Sequence, residues 1–161
     1  MKSQDDRKGA TFSPERAYRY KLWRTWDQSL PTLAFVMLNP STADEEQLDP
    51  TCHRCRNYAQ AWDFGKLLVG NIFAVRATDP DNMRSHDNPV GPRNDEALQE
   101  ITDDADSIVF AWGHHGEHRN RGREVATILG PAWCIDTTED GHPVHPLYQP
   151  KDVRPQRFSG Y

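Results

Sequence analysis

The sequence predicts an α/β protein: a three-layer α/β/α sandwich with a largely parallel central sheet and one N-terminal antiparallel strand. Two observations predict it. Thr32 to Leu38, Leu67 to Val75 and Ser107 to Trp112 are apolar runs of the kind found in strands buried on both faces. Amphipathic stretches separate them, and strands alternating with helices indicate parallel β-α-β connections. A length of 161 residues fits one domain with a sizeable core.

Residues 1–15 carry no periodicity and predict a flexible tail. Tyr18 to Arg24 alternates aromatic or apolar with basic residues, the period-2 pattern of a half-buried strand. Thr32 to Leu38 is a central strand that stops at the turn sequence Asn39-Pro40-Ser41-Thr42. A helix follows with Asp49 as N-cap and Pro50 in its first turn. Its inward stripe is Cys55, Tyr58, Ala59 and Trp62, and Gly65 ends it. Leu67 to Val75 is the next buried strand, and Asp81 to Pro92 is polar and loop-rich. A helix covers Arg93 to Thr102, a strand Ser107 to Trp112, a helix Arg119 to Leu129 and a short strand Ala132 to Asp136. Gly141 to Tyr148 is a proline-locked loop. The domain spans 16–150, and 151–161 read as a C-terminal tail.

The net charge of −5, from 19 basic and 24 acidic residues, excludes a protein that coats nucleic acid through bulk charge. The cluster from His118 to Arg123 reads first as a solvated helix face. The start, Met1 to Ser13, has no signal-peptide hydrophobic region, and no stretch approaches the roughly 20 apolar residues of a membrane span. Three cysteines are too few, and odd in number, for a disulfide framework. These features set the expectation of a reduced, cytoplasmic protein with no membrane partner.

Ligands of open parallel sheets bind outside the carboxyl ends of the strands. That rule directs attention to Asn39-Pro40-Ser41-Thr42, to Asn71 through Asp79, to Gly113-His114-His115-Gly116, and to His145-Pro146 beyond the last strand. Asn39 follows a buried strand and precedes a proline that restrains it. Its amide can orient a water, read a base edge or simply cap a turn. Gly113 and Gly116 suggest a tight turn into a helix N-terminus, which favours an anion over a metal at His114, His115 and His118. Cys52 and Cys55 make half a zinc pattern without the other half, and Cys55 falls on the helix's core stripe, so packing is the expected role. No Walker-type loop and no G-x-S-x-G elbow occurs.

Tyr20 to Trp26, Phe35 to Asp44, Asp49-Pro50-Thr51, Asn71 to Ala74 with Arg76-Ala77-Thr78, Pro89 to Pro92, Ala111-Trp112-Gly113 and His145 to Tyr148 together resemble the domain-of-unknown-function family DUF1643. A more distant similarity runs to the uracil-DNA glycosylase superfamily. Leu38-Asn39-Pro40 resembles its first motif, Gly70-Asn71-Ile72 its base-recognising strand, Phe110 to Gly113 its third strand and His145-Pro146-Leu147 its last motif. The departures are a missing Ser and second Pro after Pro146, a competing His142-Pro143, no glycine opening the first motif, and Ser41 in place of glycine. The resemblance implies a uracil-DNA-glycosylase-like fold and a pocket for a nucleobase, nucleotide or nucleic acid, with no cofactor or metal. It implies hydrolysis of an N-glycosidic bond after the nucleotide is extruded. Asn39 would position water, Asp44 or Asp49 would serve as base, and His145 would stabilise the leaving base. Pro40, Ser41, Thr42, Asn71, Phe73, Arg76, Trp112, Gly113, His114 and Arg119 would bind substrate, Asn71 on the base edge, Phe73 by stacking and Arg119 at a phosphate. The alternatives are a binding module that cleaves nothing and a small metal-assisted phosphohydrolase.

Overall fold

The computed structural model describes residues 7–161. The described residues form one seven-stranded mixed sheet and four α-helices. The strands are β1 (Lys8–Phe12), β2 (Arg19–Thr25), β3 (Thr32–Met37), β4 (Lys66–Asn71), β5 (Ser107–Ala111), β6 (Trp133–Cys134) and β7 (Gln156–Arg157). The helices are α1 (Pro50–Ala61), α2 (Pro80–Ser85), α3 (Asn94–Asp104) and α4 (Arg121–Leu129), and a 3-10 segment, His114–Asn120, precedes α4. The sheet order is β1-β2-β4-β3-β5-β6-β7. β4, β3, β5 and β6 run parallel, while β2 pairs antiparallel with β4 and β7 with β6.

Alternation along β3 divides the core. Leu33, Phe35 and Met37 pack with Cys55, Tyr58 and Ala59 of α1 on one face of the sheet. Ala34 and Val36 point the other way, toward Ile101 and Leu98 of α3 and Val125 of α4. Strand order reverses at β3: the chain crosses to β4 through α1, then returns past β3 to β5 through α3. The crevice at the carboxyl ends of β3 and β5 is therefore a topological switch point.

Asp49 caps α1, its side chain accepting from the Cys52 backbone N, and Pro50 sits in the first turn as predicted. The expected long strand to Val75 ends at Asn71. Beyond it Ile72 N and Phe73 N still donate to Met37 O and Leu38 O, and Ala74 N and Val75 N then turn to Val90 O and Pro89 O. Those residues are fully apolar and buried, so hydrophobicity alone cannot mark where the pairing stops. The loop from Asp81 holds α2, capped by Asp79. α4 starts at Arg121 rather than Arg119, because Arg119 and Asn120 adopt left-handed backbone with φ 55° and 56°.

Both predicted tails contain structure. Lys8–Phe12 form an edge strand antiparallel to β2, with Gly9 beneath the Trp23 ring, where an added Cβ would lie 2.2 Å from Trp23 Cζ2. Edge pairing uses main-chain groups and needs no apolar periodicity, which is why the sequence pattern is silent there. Residues 1–6 of that expected tail lie outside the described residues. At the other end, β7 pairs with β6 and Phe158 packs edge-on to Phe110 and Trp112 at 5.7 and 6.4 Å. Among the described residues no helix is long and apolar enough to cross a membrane.

Candidate functional site

A cavity of about 550 Å³ opens at the switch point. Met37 at the end of β3 and Leu38 to Ser41 after it, Asn71 at the end of β4, Trp112 to His115 after β5, Asp49, Thr51 and Cys52 at the start of α1, and His145 and Leu147 from the late loop line it. Residues far apart in sequence meet there because parallel strands deliver their carboxyl ends to one edge of the sheet.

Asn39 is half-buried on this wall. Its Nδ2 donates to Pro40 O at 3.1 Å and to Ala77 O at 2.8 Å, while Ala77 N donates back to Pro40 O at 2.9 Å. The two segments that follow β3 and β4 are thus stitched together through this amide. With both N–H groups spent on carbonyls, Asn39 Oδ1 is left as an acceptor at the cavity.

His145 reaches the cavity because its loop is tied to the end of β5. Gly113 N donates to Pro143 O at 2.7 Å and Val144 N to Asp136 O at 3.0 Å. Gly113 has φ 74°, a conformation that favours glycine. His145 Nδ1 accepts from Leu147 N at 3.3 Å, so the proton of the neutral ring resides on Nε2. Burial pushes the His145 pKa below its ordinary value, partly opposed by the charge of Asp49. The side chain is therefore a neutral imidazole offering an N–H donor at neutral pH. His142, the competing histidine, is buried elsewhere, its Nδ1 3.3 Å from Tyr161 Oη.

Asp49 faces the cavity, although Oδ1 accepts from Cys52 N at 2.9 Å and Oδ2 from Ala43 N at 3.2 Å. Cys52, beside it, is 1% exposed and its thiol is pushed up to about 12 by burial, which makes it inert as a nucleophile. Cys55 and Cys134 are also buried free thiols, with Cys55 Sγ 3.5 Å from Met37 Sδ in the core.

Five expected site residues stand away from the cavity. Asp44 accepts from Glu46 N and Gln47 N through Oδ1, and these backbone bonds, Gln47 foremost, hold its pKa down; it is the turn-maker of the loop before α1. Thr42 is exposed on that same loop. Phe73 is fully buried on the α3–α4 side, 5.6 Å from the His118 ring, where it cannot stack on a ligand. Arg76 does not line the cavity itself but a shallow depression adjoining it, which shares Ser41, Ala77 and Thr78 with the cavity wall, and it lies over the Phe12 ring at 5.1 Å. Arg119 turns back to His86 O and Asp87 O at 3.3 and 3.2 Å. Gly113 and Gly116 close the expected tight turn, Gly116 N donating to Gly113 O at 3.1 Å, and Gly116 also packs on Trp112, where an added Cβ would lie 2.2 Å from Trp112 Cδ1.

The structure also adds residues that the pattern of the sequence does not single out. Arg19 is 1% exposed yet reaches the cavity wall. Tyr148 stands at the cavity with its side chain in solvent, 90% exposed and with φ 73°. An exposed aromatic held in left-handed backbone at a cavity wall is a platform on which a planar ligand can stack.

Fold and site together define a mixed α/β protein with a cavity of apolar walls and a few polar side chains at the switch point of its parallel strands. The chain belongs to DUF1643, the "Protein of unknown function (DUF1643)" family, whose model matches residues 19–147. No curated protein and no solved structure matches the chain.

Proposed function

We propose that this protein is uracil-DNA-glycosylase-like: its cavity receives a nucleobase, carried by a nucleotide or a nucleic acid, and its residues hydrolyse the N-glycosidic bond. The observation that carries this reading is the meeting of a free amide acceptor on Asn39, a neutral Nε2–H donor on His145 and the Asp49 carboxylate at one cavity. Cleavage leaves the bonding electron pair on the base and positive charge on the sugar. His145 Nε2–H donates to the developing base anion, a fixed dipole where charge appears. Asn39 Oδ1 accepts from the attacking water, whose oxygen bonds to the anomeric carbon while Asp49 takes its proton. Asp44 has no part, since it is not on the cavity wall and its Oδ1 is spent on its own loop.

A base-release assay tests the reading, with uracil, mismatched thymine and modified bases in single- and double-stranded DNA and RNA, and chelator present. The expected result is release of one class of base that falls at least about tenfold in Asn39→Ala. Tyr148→Ala is expected to weaken substrate binding by about 1–3 kcal/mol through lost stacking, read as a higher KM with the melting temperature unchanged.

A second reading, recognition without cleavage, has one observation in its favour. Both oxygens of Asp49 already accept backbone hydrogen bonds, which leaves fewer lone pairs free to receive a proton from water. Saturable binding of a nucleotide with no release across the panel selects that reading.

A further inference from the structure

Asn71 continues the face of β4 that carries Leu67 and Val69, and arrives at the cavity 2% exposed. Its Oδ1 accepts from Arg19 Nη2 at 3.2 Å, and no protein group among the described residues accepts from its Nδ2. Arg19 is itself pinned, its Nη1 donating to Ala43 O at 3.1 Å. The amide cannot turn over, because that would set Nδ2 against the guanidinium, donor facing donor. Its backbone is held as well: Asn94 Nδ2 donates to Asn71 O at 2.8 Å, and Arg121 Nε to Ile72 O at 2.8 Å.

We infer that Arg19 locks Asn71 as a donor-only reader, so that the cavity selects a base edge made of lone pairs, as on the N7/O6 side of a 6-oxopurine. The inference rests on the nucleobase reading of the cavity and adds the class of base. The imide edge of uracil or thymine presents an N–H between its carbonyls, and adenine presents an amino group beside N7. A free asparagine amide satisfies either with its oxygen, but here that oxygen belongs to Arg19. A buried donor left facing another donor loses its hydrogen bond outright, which is how a polar site rejects a near-isostere. Arg19 is thus a positioning residue acting through Asn71.

Titration calorimetry of the whole chain with inosine, adenosine and uridine monophosphates tests this. Inosine monophosphate is expected to bind about tenfold more tightly than the other two, or better. Asn71→Asp keeps a partner for Arg19 and replaces the free N–H with an oxygen, so its preference is expected to reverse toward adenosine monophosphate. Arg19→Met frees the amide to turn over, and the preference is expected to shrink below about threefold. Thermal melts identify any variant that fails to fold, and if Arg19→Met is one, Asn71→Asp decides. Equal affinities in the wild type, or an Asn71→Asp variant that still prefers inosine monophosphate, overturn the inference and leave the nucleobase pocket standing. No binding of any of the three overturns the inference, while the nucleobase reading stands or falls with the base-release assay.

Discussion

Replacing His145 with alanine is expected to lower base release by about 10²–10³-fold, the usual cost of removing one preorganised donor from a developing anion. The acid side of the pH profile distinguishes this donor from a proton-transferring histidinium. The pKa of His145 is depressed by burial, so the ring is neutral at pH 7 and charges only below the ordinary histidine value of about 6.5. Release is expected to stay level through neutral pH and to decline as pH falls through that depressed pKa. Rates that climb on acidification would make His145 a proton-donating acid and overturn its role as a neutral donor. Stability follows the same sign: the unfolded chain binds the proton first, so folding free energy is full above about pH 6.5 and is lost as pH falls toward the folded-state pKa. His145→Phe removes that component of the pH dependence, readable in urea midpoints between neutral and mildly acidic buffer.

The parts of the site that the sequence reveals are those whose position follows from strand ends. Asn39 is legible because an apolar run breaks at Asn-Pro, and Asn71, Trp112 and Gly113 because each closes a buried run. Carboxyl ends of parallel strands share one edge, so reading the strands reads much of the site. Arg19 is hidden for the opposite reason. In the alternation from Tyr18 to Arg24, basic residues read as the solvent face, and nothing local shows that the loop before α1 covers Arg19 and that Asn71 engages its guanidinium. Phe73 misleads because fully buried segments carry no periodicity: an aromatic next to a site asparagine has the same sequence signature whether it faces ligand or core. Asp44 and Asp49 are equal in sequence as candidates for the base. The Asp-Pro pair marks Asp49 as the helix cap, but only the geometry puts that cap on the cavity wall and the turn-maker Asp44 beyond it. Tyr148 lies in a proline-bounded loop whose direction is set by long-range bonds such as Gly113 N to Pro143 O.

Deleting residues 151–161, which read as a tail, is expected to cost about 3–5 kcal/mol, since Phe158 leaves Phe110 and Trp112 and two indole hydrogen bonds are lost. Trp62 Nε1 donates to Val153 O at 2.8 Å, and Trp112 Nε1 donates to Tyr161 Oη at 2.7 Å. Arg123 adds a cation over the Tyr161 ring at 4.4 Å. The segment escapes sequence patterning because its contribution comes from a few anchors, Val153, Phe158 and Tyr161, spaced among polar residues rather than from an apolar stripe. For a chain of this length the loss corresponds to a melting temperature lower by roughly 10 °C. Phe158→Ala alone, which keeps the strand and both indole bonds, is expected to account for about 1–3 kcal/mol of it. Urea unfolding followed by tryptophan fluorescence measures both, and a truncated protein with an unchanged midpoint would return these residues to the status of a tail. The consequence reaches the site as well. Trp112 is at once the floor on which Phe158 packs and a wall of the cavity. The same deletion should therefore loosen the cavity wall at Trp112 and raise KM even at temperatures where the truncated chain is fully folded.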